Sequence, residues 1–227
     1  MQTVNRPMMK IALPLMLALV GATFAAQAQD LKGDVARGAK LNATCIGCHG
    51  ISGYQASFPE VYRVPAISGQ NAKYIAAALV AYKKGERKHP SMRATAGALS
   101  EQDIADLAAY YAAHGGVAAP AAATVPAPSP EVAALLAKGA CASCHGPNFN
   151  KPIDGSYPKI AGQYPDYLYA ALRAYKIEGN PKVGRGNAIM SAQVKQFSRK
   201  ELKLMADYLG SLPADVHTIT QSKFKFP

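Results

Sequence analysis

The sequence predicts an all-α protein of two tandem domains, each made of a few helices and long loops. Two observations carry this prediction. The second half repeats the motifs of the first, and apolar residues in both halves recur at helical rather than alternating spacing. An apolar fraction of 49% with 17% charged residues excludes wholesale disorder. The 227 residues suffice for two domains of about 100 residues each.

Residues 1–28 have the features of a secretory signal peptide. Arg6 and Lys10 supply a positive start, residues 11–24 are apolar, and residues 26–28 read Ala-Gln-Ala, a small-x-small cleavage site. An uncleaved membrane anchor is the weaker interpretation, because the apolar stretch at ~1.5 Å per residue is shorter than a ~30 Å hydrocarbon core. We therefore expect cleavage and a periplasmic location.

An uncharged segment rich in alanine and proline, residues 117–130, separates the two halves. This composition is typical of an extended linker rather than a packed element. The predicted domains are residues 29–116 and 131–227.

The halves repeat each other closely enough to indicate a duplicated domain. Residues 65–83 match residues 158–176 at eleven of nineteen positions. A Cys-x-x-Cys-His sequence precedes each of these segments, and a methionine follows each of them. Small changes in spacing between the matched motifs indicate insertions in loops.

Capping residues place the helices in order along the chain. Asp34 and Glu131 lie near the starts of helices that lead into the cysteine motifs. Asn71 begins a helix that Gly85 ends, and Ser100 with Asp103 begins the last helix of the first half, which Gly115 ends.

The second half repeats this arrangement, with Ser198 and Glu201 as a capping box. No strand pattern is evident, and residues 50–70 and 146–165 are predicted loops. Each half is therefore expected to contain about three helices.

Cys-x-x-Cys-His is the attachment motif of c-type haem. Thiols at i and i+3 lie on one helix face and reach the two vinyl groups of a porphyrin, and the next imidazole points at the iron. The predicted haem-bearing cysteines and iron-binding histidines are Cys45, Cys48 and His49 in the first half, and Cys141, Cys144 and His145 in the second.

Three other uses of the cysteines are weighed against haem attachment. Two Cys-x-x-Cys pairs can hold one zinc ion. A thioredoxin-like redox pair needs a neighbouring βαβ pattern, which is not evident here. A disulfide within Cys-x-x-Cys closes a very short ring and stabilises little. None of these explains why a histidine follows each pair.

An iron held by one histidine needs a sixth ligand or has an open site. Met92 is the only methionine between the two cysteine motifs, and Met190 matches it in the second half. We predict these two methionines as the sixth ligands and place both in loops. Met205 matches Leu107 on the last helix, so core packing is its preferred interpretation.

His89 and His114 are competing sixth ligands in the first half. His89 precedes Met92 by three residues, and the second half has no evident equivalent. A surface position is therefore preferred for His89, and His217 in the C-terminal tail is assigned no role.

On these residues the sequence resembles the di-haem cytochrome c4 family. The resemblance covers residues 29–212 and includes CIGCHG and CASCHG, PAISGQ and PKIAGQ, the following methionines, and closing helices with DLAAYY and LMADYL. It implies two class I cytochrome c domains related by pseudo-two-fold symmetry, with haems near each other across the interface. It also implies that the carbonyls of Pro65 and Pro158 bond the ligating histidines, which orients each imidazole and raises its basicity.

The resemblance implies a periplasmic electron carrier rather than an enzyme. Histidine and methionine together fill both axial positions, so the iron has no vacancy for substrate, and methionine raises the reduction potential. The expected donor is a quinol-oxidising complex, and the expected acceptor is a terminal oxidase or reductase.

A net charge of +11 suggests a docking surface. Basic residues concentrate at Lys83, Lys84, Arg87 and Lys88, and at Lys182, Arg185, Lys195, Arg199, Lys200 and Lys203. Such a surface favours an acidic redox partner or an anionic membrane, although a merely solvated basic face is the alternative. No nucleic-acid recognition motif is present.

Two other functions compete with a free carrier. The chain could be the cytochrome subunit of a flavocytochrome-type sulfur-oxidising dehydrogenase, which sequence hardly separates from a carrier. A catalytic di-haem enzyme is less favoured. Di-haem thiosulfate dehydrogenases use a cysteine ligand, and all four cysteines here belong to the attachment motifs. Di-haem peroxidases are substantially longer chains.

Overall fold

The structure is a computed structural model that describes residues 31–114 and 125–220. The predicted signal peptide 1–28 and residues 117–124 of the predicted linker lie outside these residues. The last linker residue, Pro130, is the first residue of a helix. No helix in the described residues is long and apolar enough to cross a membrane.

Residues 31–114 form five helices and three two-residue strands. Their order is α1 (Val35–Leu41), α2 (Ala43–His49), β1 (Gln55–Ala56), β2 (Tyr62–Arg63), α3 (Ala72–Lys84), β3 (Arg87–Lys88), α4 (Pro90–Gly97) and α5 (Glu101–Ala113).

Residues 125–220 repeat the five helices with one two-residue strand. Their order is α6 (Pro130–Lys138), α7 (Cys141–His145), α8 (Pro165–Ala174), β4 (Gly184–Arg185), α9 (Ala188–Lys195) and α10 (Arg199–Ser211). The all-α prediction is confirmed, because helices account for nearly all of the regular structure in both halves.

The capping residues explain where the main helices begin. Asp34 accepts hydrogen bonds from the first amides of α1, and capping boxes at Ser100 and Ser198 begin α5 and α10. Gly85 ends α3 with φ of 75°, a left-handed conformation that favours glycine. The side chain of Asn71 makes no cap, and donates instead to the Tyr157 carbonyl of the other half (3.1 Å).

The expectation of about three helices per half was too low, and the expectation of no strands was wrong. The additional helices span only five to eight residues, which is too short for apolar periodicity to reveal them. β1 pairs with β2, and β3 pairs with β4, both antiparallel. A two-residue strand has no room for an alternating pattern.

Each half has its own core. In the first half, Ile75 of α3 packs with Ala108, Tyr110 and Tyr111 of α5. In the second half, a larger cluster joins α6, α8 and α10 and includes Leu202, which is fully buried. This burial supplies most of the free energy that holds the helices together.

The halves also bind each other, so that residues 31–220 form one compact unit. β3 of the first half pairs with β4 of the second, and Ser68 pairs through its backbone with His217. Asp166 of α8 accepts hydrogen bonds from the amide and guanidinium of Arg63 (2.9 and 3.0 Å). His217, which the sequence assigns no role, thus joins the C-terminal segment to the first half.

Candidate functional site

The first cysteine motif lies on α2, which is anchored to the last helix of its half. Asn42, at the junction of α1 and α2, is buried. Its side-chain Nδ2 donates to the Tyr110 hydroxyl (3.2 Å), and its Oδ1 accepts from the Tyr111 hydroxyl. Both tyrosines belong to α5, so α2 is fixed against the core of the first half.

The second motif forms the whole of α7. Ala140 precedes it with φ of 46°, and Gly146 follows it with φ of 80°. A Cβ at Gly146 would collide with the Lys151 backbone, so a glycine is required where the chain turns at the end of α7.

The four cysteines form no disulfide with one another, and Cys45 and Cys141 pack against the apolar core of their own half. Burial raises the pKa of both thiols. Among the described residues, no three or more His, Cys, Asp or Glu side chains converge as a metal-binding group.

The motif histidines have the same environment in both halves. His49 Nδ1 lies 2.9 Å from the Pro65 carbonyl oxygen, and His145 Nδ1 lies 2.9 Å from that of Pro158. A carbonyl only accepts, so Nδ1 carries the proton and Nε2 keeps a lone pair. Burial lowers the pKa of both imidazoles, although the carbonyl contacts oppose it. A neutral ring with a free Nε2 is the form that ligates metals.

Met92 and Met190 lie on short helices, not in loops as the sequence suggested. Each is the third residue of its helix, α4 or α9. The caps are His89 and Asn187, whose side chains accept from the Met92 amide (3.4 Å) and the Met190 amide (2.9 Å). Their backbone angles agree closely, at φ −142° and ψ 114° for His89, and φ −141° and ψ 111° for Asn187.

His89 therefore matches Asn187 as a helix cap, although the second half has no histidine at this position, and the expectation of an exposed surface position was wrong. It is half-buried, and its Nδ1 acts as the cap of α4. His114 contacts its own helix instead, with Nδ1 2.7 Å from the Tyr110 carbonyl and its ring 4.2 Å from the Tyr110 ring centroid. Met205 is buried in the core of the second half, as expected.

A cavity of about 300 Å³ brings the predicted ligands of the first half together. Its walls include Cys48, His49, Pro65 and Met92, and the other lining residues are mostly apolar or aromatic. In the second half, Cys141 and Met190 pack against the same apolar cluster. The first-half cavity is thus lined by the Cys48 thiol, the Met92 thioether and two imidazoles, those of His49 and the competing ligand His89. A thiol, an imidazole, a thioether and apolar walls suit a covalently attached haem.

Two arginines that the sequence assigned to a basic surface lie instead where the halves meet. Arg87 is buried and Arg185 is half-buried, and they are paired residues of β3 and β4. Both guanidinium groups donate to the Tyr167 hydroxyl (3.3 and 3.1 Å), and Arg87 also donates to that of Tyr74 (3.4 Å). Among the described residues, neither arginine has a carboxylate partner.

The described residues offer this arginine pair tyrosine hydroxyls and ring faces but no carboxylate. The buried Nε of Arg87 has no hydrogen-bond partner in the described chain, and an unpaired buried charge is costly. Burial would raise the pKa of Tyr167, but the two guanidinium groups lower it to about 8. Arg87 and Tyr167 also line the cavity beside His49 and Met92. The carboxylates of a haem's propionate groups would complement the positive charge of Arg87 and Arg185. The residues that line this cavity are therefore compatible with a bound haem.

Sequence reasoning missed these arginines and the aromatic residues around them. A signal was available, because Arg87 and Arg185 have the same spacing as Met92 and Met190. Tyr74 and Tyr167 are likewise identical positions of the repeated segment.

Comparison with known proteins agrees with the fold. The family model described as Cytochrome c matches twice, at residues 35–113 and 131–213. A cytochrome c4 of Thiocapsa roseopersicina is 30% identical over 186 residues, which cover 77% of this chain and 90% of that protein. A solved cytochrome c4 of Acidithiobacillus ferrooxidans superposes with a TM-score of 0.59 at 28% identity, and the match covers 75% of this chain and 99% of that chain.

A further relative has a more specific description. A thiosulfate dehydrogenase electron acceptor of Stutzerimonas stutzeri (strain A1501) is 27% identical over 219 residues, which cover 93% of this chain and 97% of that protein.

Proposed function

The chain belongs to the di-haem cytochrome c4 family, and from that membership we propose that it is a periplasmic electron carrier with two six-coordinate haems. Two tandem cytochrome c domains each carry a covalently bound haem c. The chain is a di-haem electron carrier of the cytochrome c type. The proposal adds its location, its iron ligands and its partners.

The residues proposed to hold the haems come in two equivalent sets. The thioether bonds are assigned to Cys45 and Cys48, and to Cys141 and Cys144. The axial ligands are assigned to His49 with Met92, and to His145 with Met190. The haem iron, when bound, supplies a one-electron couple.

Held by these residues, each iron would have no position open to another ligand, and the chain's own groups would keep the ligands in place. The carbonyls of Pro65 and Pro158 orient the two imidazoles, and the caps of α4 and α9 hold the two methionines in place. Closed positions exclude substrate and water, so a change of oxidation state requires little movement of the ligands. This supports a carrier rather than an enzyme.

The basic surface proposed for docking is smaller than the sequence suggested. Arg87 and Arg185 do not belong to it, because they lie where the halves meet. The exposed basic residues of the second half are Lys182, Lys195, Arg199, Lys200 and Lys203. Such a surface favours acidic partners or anionic membranes through long-range attraction. The proposed donor is a quinol-oxidising complex, and the proposed acceptor is a terminal oxidase or reductase.

The observation that carries the proposal is the repeated set of histidine, proline carbonyl and capped methionine. Two measurements test it: the haem content of a periplasmic extract from an expressing host, and a redox titration of the purified chain. Two haems per chain with two one-electron steps are expected. Haem recovered only in the cytoplasm, or a single step at one haem per chain, would overturn the proposal.

A second candidate is electron acceptor to a sulfur-oxidising dehydrogenase. It is favoured by the relative described as a thiosulfate dehydrogenase electron acceptor, which matches nearly the whole chain. The two candidates differ in their donor. Rapid reduction by a thiosulfate dehydrogenase with thiosulfate, but not by a quinol-oxidising complex, would favour the second candidate.

A further inference from the structure

Two glutamines join the halves in a reciprocal manner. Gln163 Oε1 accepts from the Ala66 amide (3.0 Å), and its Nε2 donates to the Ala66 carbonyl (2.7 Å). Gln70 does the same to Lys159 of the other half, at 2.9 Å for both bonds. Both glutamines are about 4% exposed.

The orientation of each amide follows from its surroundings. Besides the bond across the interface, Gln70 Oε1 accepts from the Asn71 amide and Gln163 Oε1 from the Tyr164 amide, both at 3.0 Å. A flipped side chain would set its NH₂ against two N–H donors and its oxygen against a carbonyl. The oxygen therefore faces the N–H of Ala66 or Lys159.

The glutamines bind the same two peptide groups whose carbonyls contact the motif histidines. The Ala66 N–H belongs to the same peptide group as the Pro65 carbonyl, which contacts His49 Nδ1. The Lys159 N–H likewise shares a peptide group with the Pro158 carbonyl, which contacts His145 Nδ1. Each peptide group thus lies between an imidazole of its own half and a glutamine of the other.

We propose that Gln163 and Gln70 are positioning residues that tune the axial histidine of the opposite domain through this shared peptide group. Gln163 acts on His49, and Gln70 acts on His145. The inference rests on the proposed function, because it takes these histidines as iron ligands.

The direction of the effect follows from hydrogen-bond cooperativity. When Gln163 accepts the Ala66 N–H, it polarises the peptide group and makes the Pro65 oxygen a stronger acceptor. A stronger bond at Nδ1 raises the basicity of the imidazole, which favours the ferric over the ferrous iron. Each glutamine therefore lowers the reduction potential of the haem in the other domain.

The test is a redox titration of four full-length holoprotein variants: Gln163→Leu, Gln70→Leu, and the near-isosteric Gln163→Met and Gln70→Met. The proton NMR signals of His49 Nδ1–H and His145 Nδ1–H, followed during the titration, identify which potential belongs to the first domain and which to the second. The Gln163 variants should raise only the first-domain potential, and the Gln70 variants only the second. The expected change is about twofold in the equilibrium constant, or about 18 mV at ~59 mV per tenfold.

Tyr164→Phe is the matched control for a loosened interface. It removes a neutral hydrogen bond between the halves, from the Gly53 amide to the Tyr164 hydroxyl (3.3 Å), without touching either proline peptide group. Neither potential should move.

Equal shifts of both potentials in the glutamine variants, a shift in the domain that carries the variant, or no shift at all would each overturn the inference. If the histidines are not ligands, the wild-type protein itself will lack their signals as iron-bound imidazoles. That result is distinct from a normal wild-type protein whose variants leave the potentials unchanged.

Discussion

At the scale of single residues, Met190 and Met92 differ from Met205 in how they are held. Each amide is bonded to a cap residue three positions earlier, so the side chain leaves a fixed point at the start of a short helix. Met205, in contrast, is surrounded by the core of the second half. Iron ligation is therefore proposed for Met92 and Met190, whereas Met205 serves core packing.

Replacing Met190 by alanine should lower the reduction potential of the second-domain haem, because the thioether that favours the ferrous state is lost. It should also open that iron to carbon monoxide. A redox titration and a ferrous spectrum with carbon monoxide measure both effects. Met92→Ala should do the same in the first domain.

The control for this change is Met205→Leu, which introduces the residue found at the matching position Leu107. It conserves volume, so a loss of under about 1.5 kcal/mol in stability and unchanged potentials are expected. A Met190→Ala protein with an unaltered potential would remove Met190 from the ligand set.

At the scale of elements, α1 is bound to α5 by a buried carboxylate. Asp106 is fully buried, and it accepts from the Asp34 amide (2.7 Å), from Gln102 (2.8 Å) and from the Arg37 guanidinium. Burial raises the pKa of Asp106, but these hydrogen bonds outweigh it and hold the pKa below its usual value.

Acid should therefore weaken the contact between α1 and α5. Because the pKa of Asp106 is lower in the folded than in the unfolded chain, its contribution is complete above the unfolded value of about 3.9 and is lost as pH falls through the folded value. Asp106→Asn should remove that part of the pH dependence, as measured by thermal unfolding between neutral and acid pH.

The matched control is Asp207→Asn, which breaks an exposed pair with Lys203. Exposed pairs contribute only about 0–1 kcal/mol, so its acid profile should follow the wild type. An Asp106→Asn profile as steep as that of the wild type would contradict the role given to this carboxylate.

The capping box of α10 makes a second prediction at this scale. Ser198 accepts from the Glu201 amide (3.3 Å), and Glu201 accepts from the Ser198 amide (2.7 Å). Ser198→Ala should cost about 1 kcal/mol of unfolding free energy, measured by denaturant titration. No measurable loss would mean that packing alone sets the start of α10.

The sequence predicted the elements that carry local signals and missed those that depend on contacts between the halves. Capping pairs such as Ser100 with Asp103 placed the long helices, and cysteine spacing placed the motifs. The helices that carry Met92 and Met190 were missed because each has only eight residues, too few for a clear apolar period, and begins at His89 or Asn187. The pairing of Arg87 with Arg185 was missed because it joins residues far apart in sequence, which no local pattern encodes.

At the scale of the whole molecule, the exposed basic residues and the arginines between the halves have different roles. The net charge of +11 is counted over the whole sequence and includes Arg87 and Arg185, which lie at the boundary between the halves and not on the exposed surface. The groups proposed to attract an anionic partner are therefore the exposed basic residues of both halves, including Lys83 and Lys84 of the first.

Oxidation of the reduced protein by ferricyanide, an anion, should slow as ionic strength rises, because salt screens this attraction. Charge reversal at two exposed residues, Arg199→Glu with Lys200→Glu, should reduce both the rate at low salt and its dependence on salt. Stopped-flow spectroscopy measures these rates. An oxidation rate indifferent to salt in the wild type would contradict electrostatic steering.

The most direct test of the central claim is the visible spectrum of the purified mature protein, ferric and ferrous, with carbon monoxide added to the reduced sample and haem counted per chain. Two low-spin c-type haems per chain are expected, and their ferrous spectrum should not change with carbon monoxide, because the proposed ligands His49 with Met92 and His145 with Met190 would close both irons. Carbon monoxide binding at either haem of the wild-type protein would contradict it.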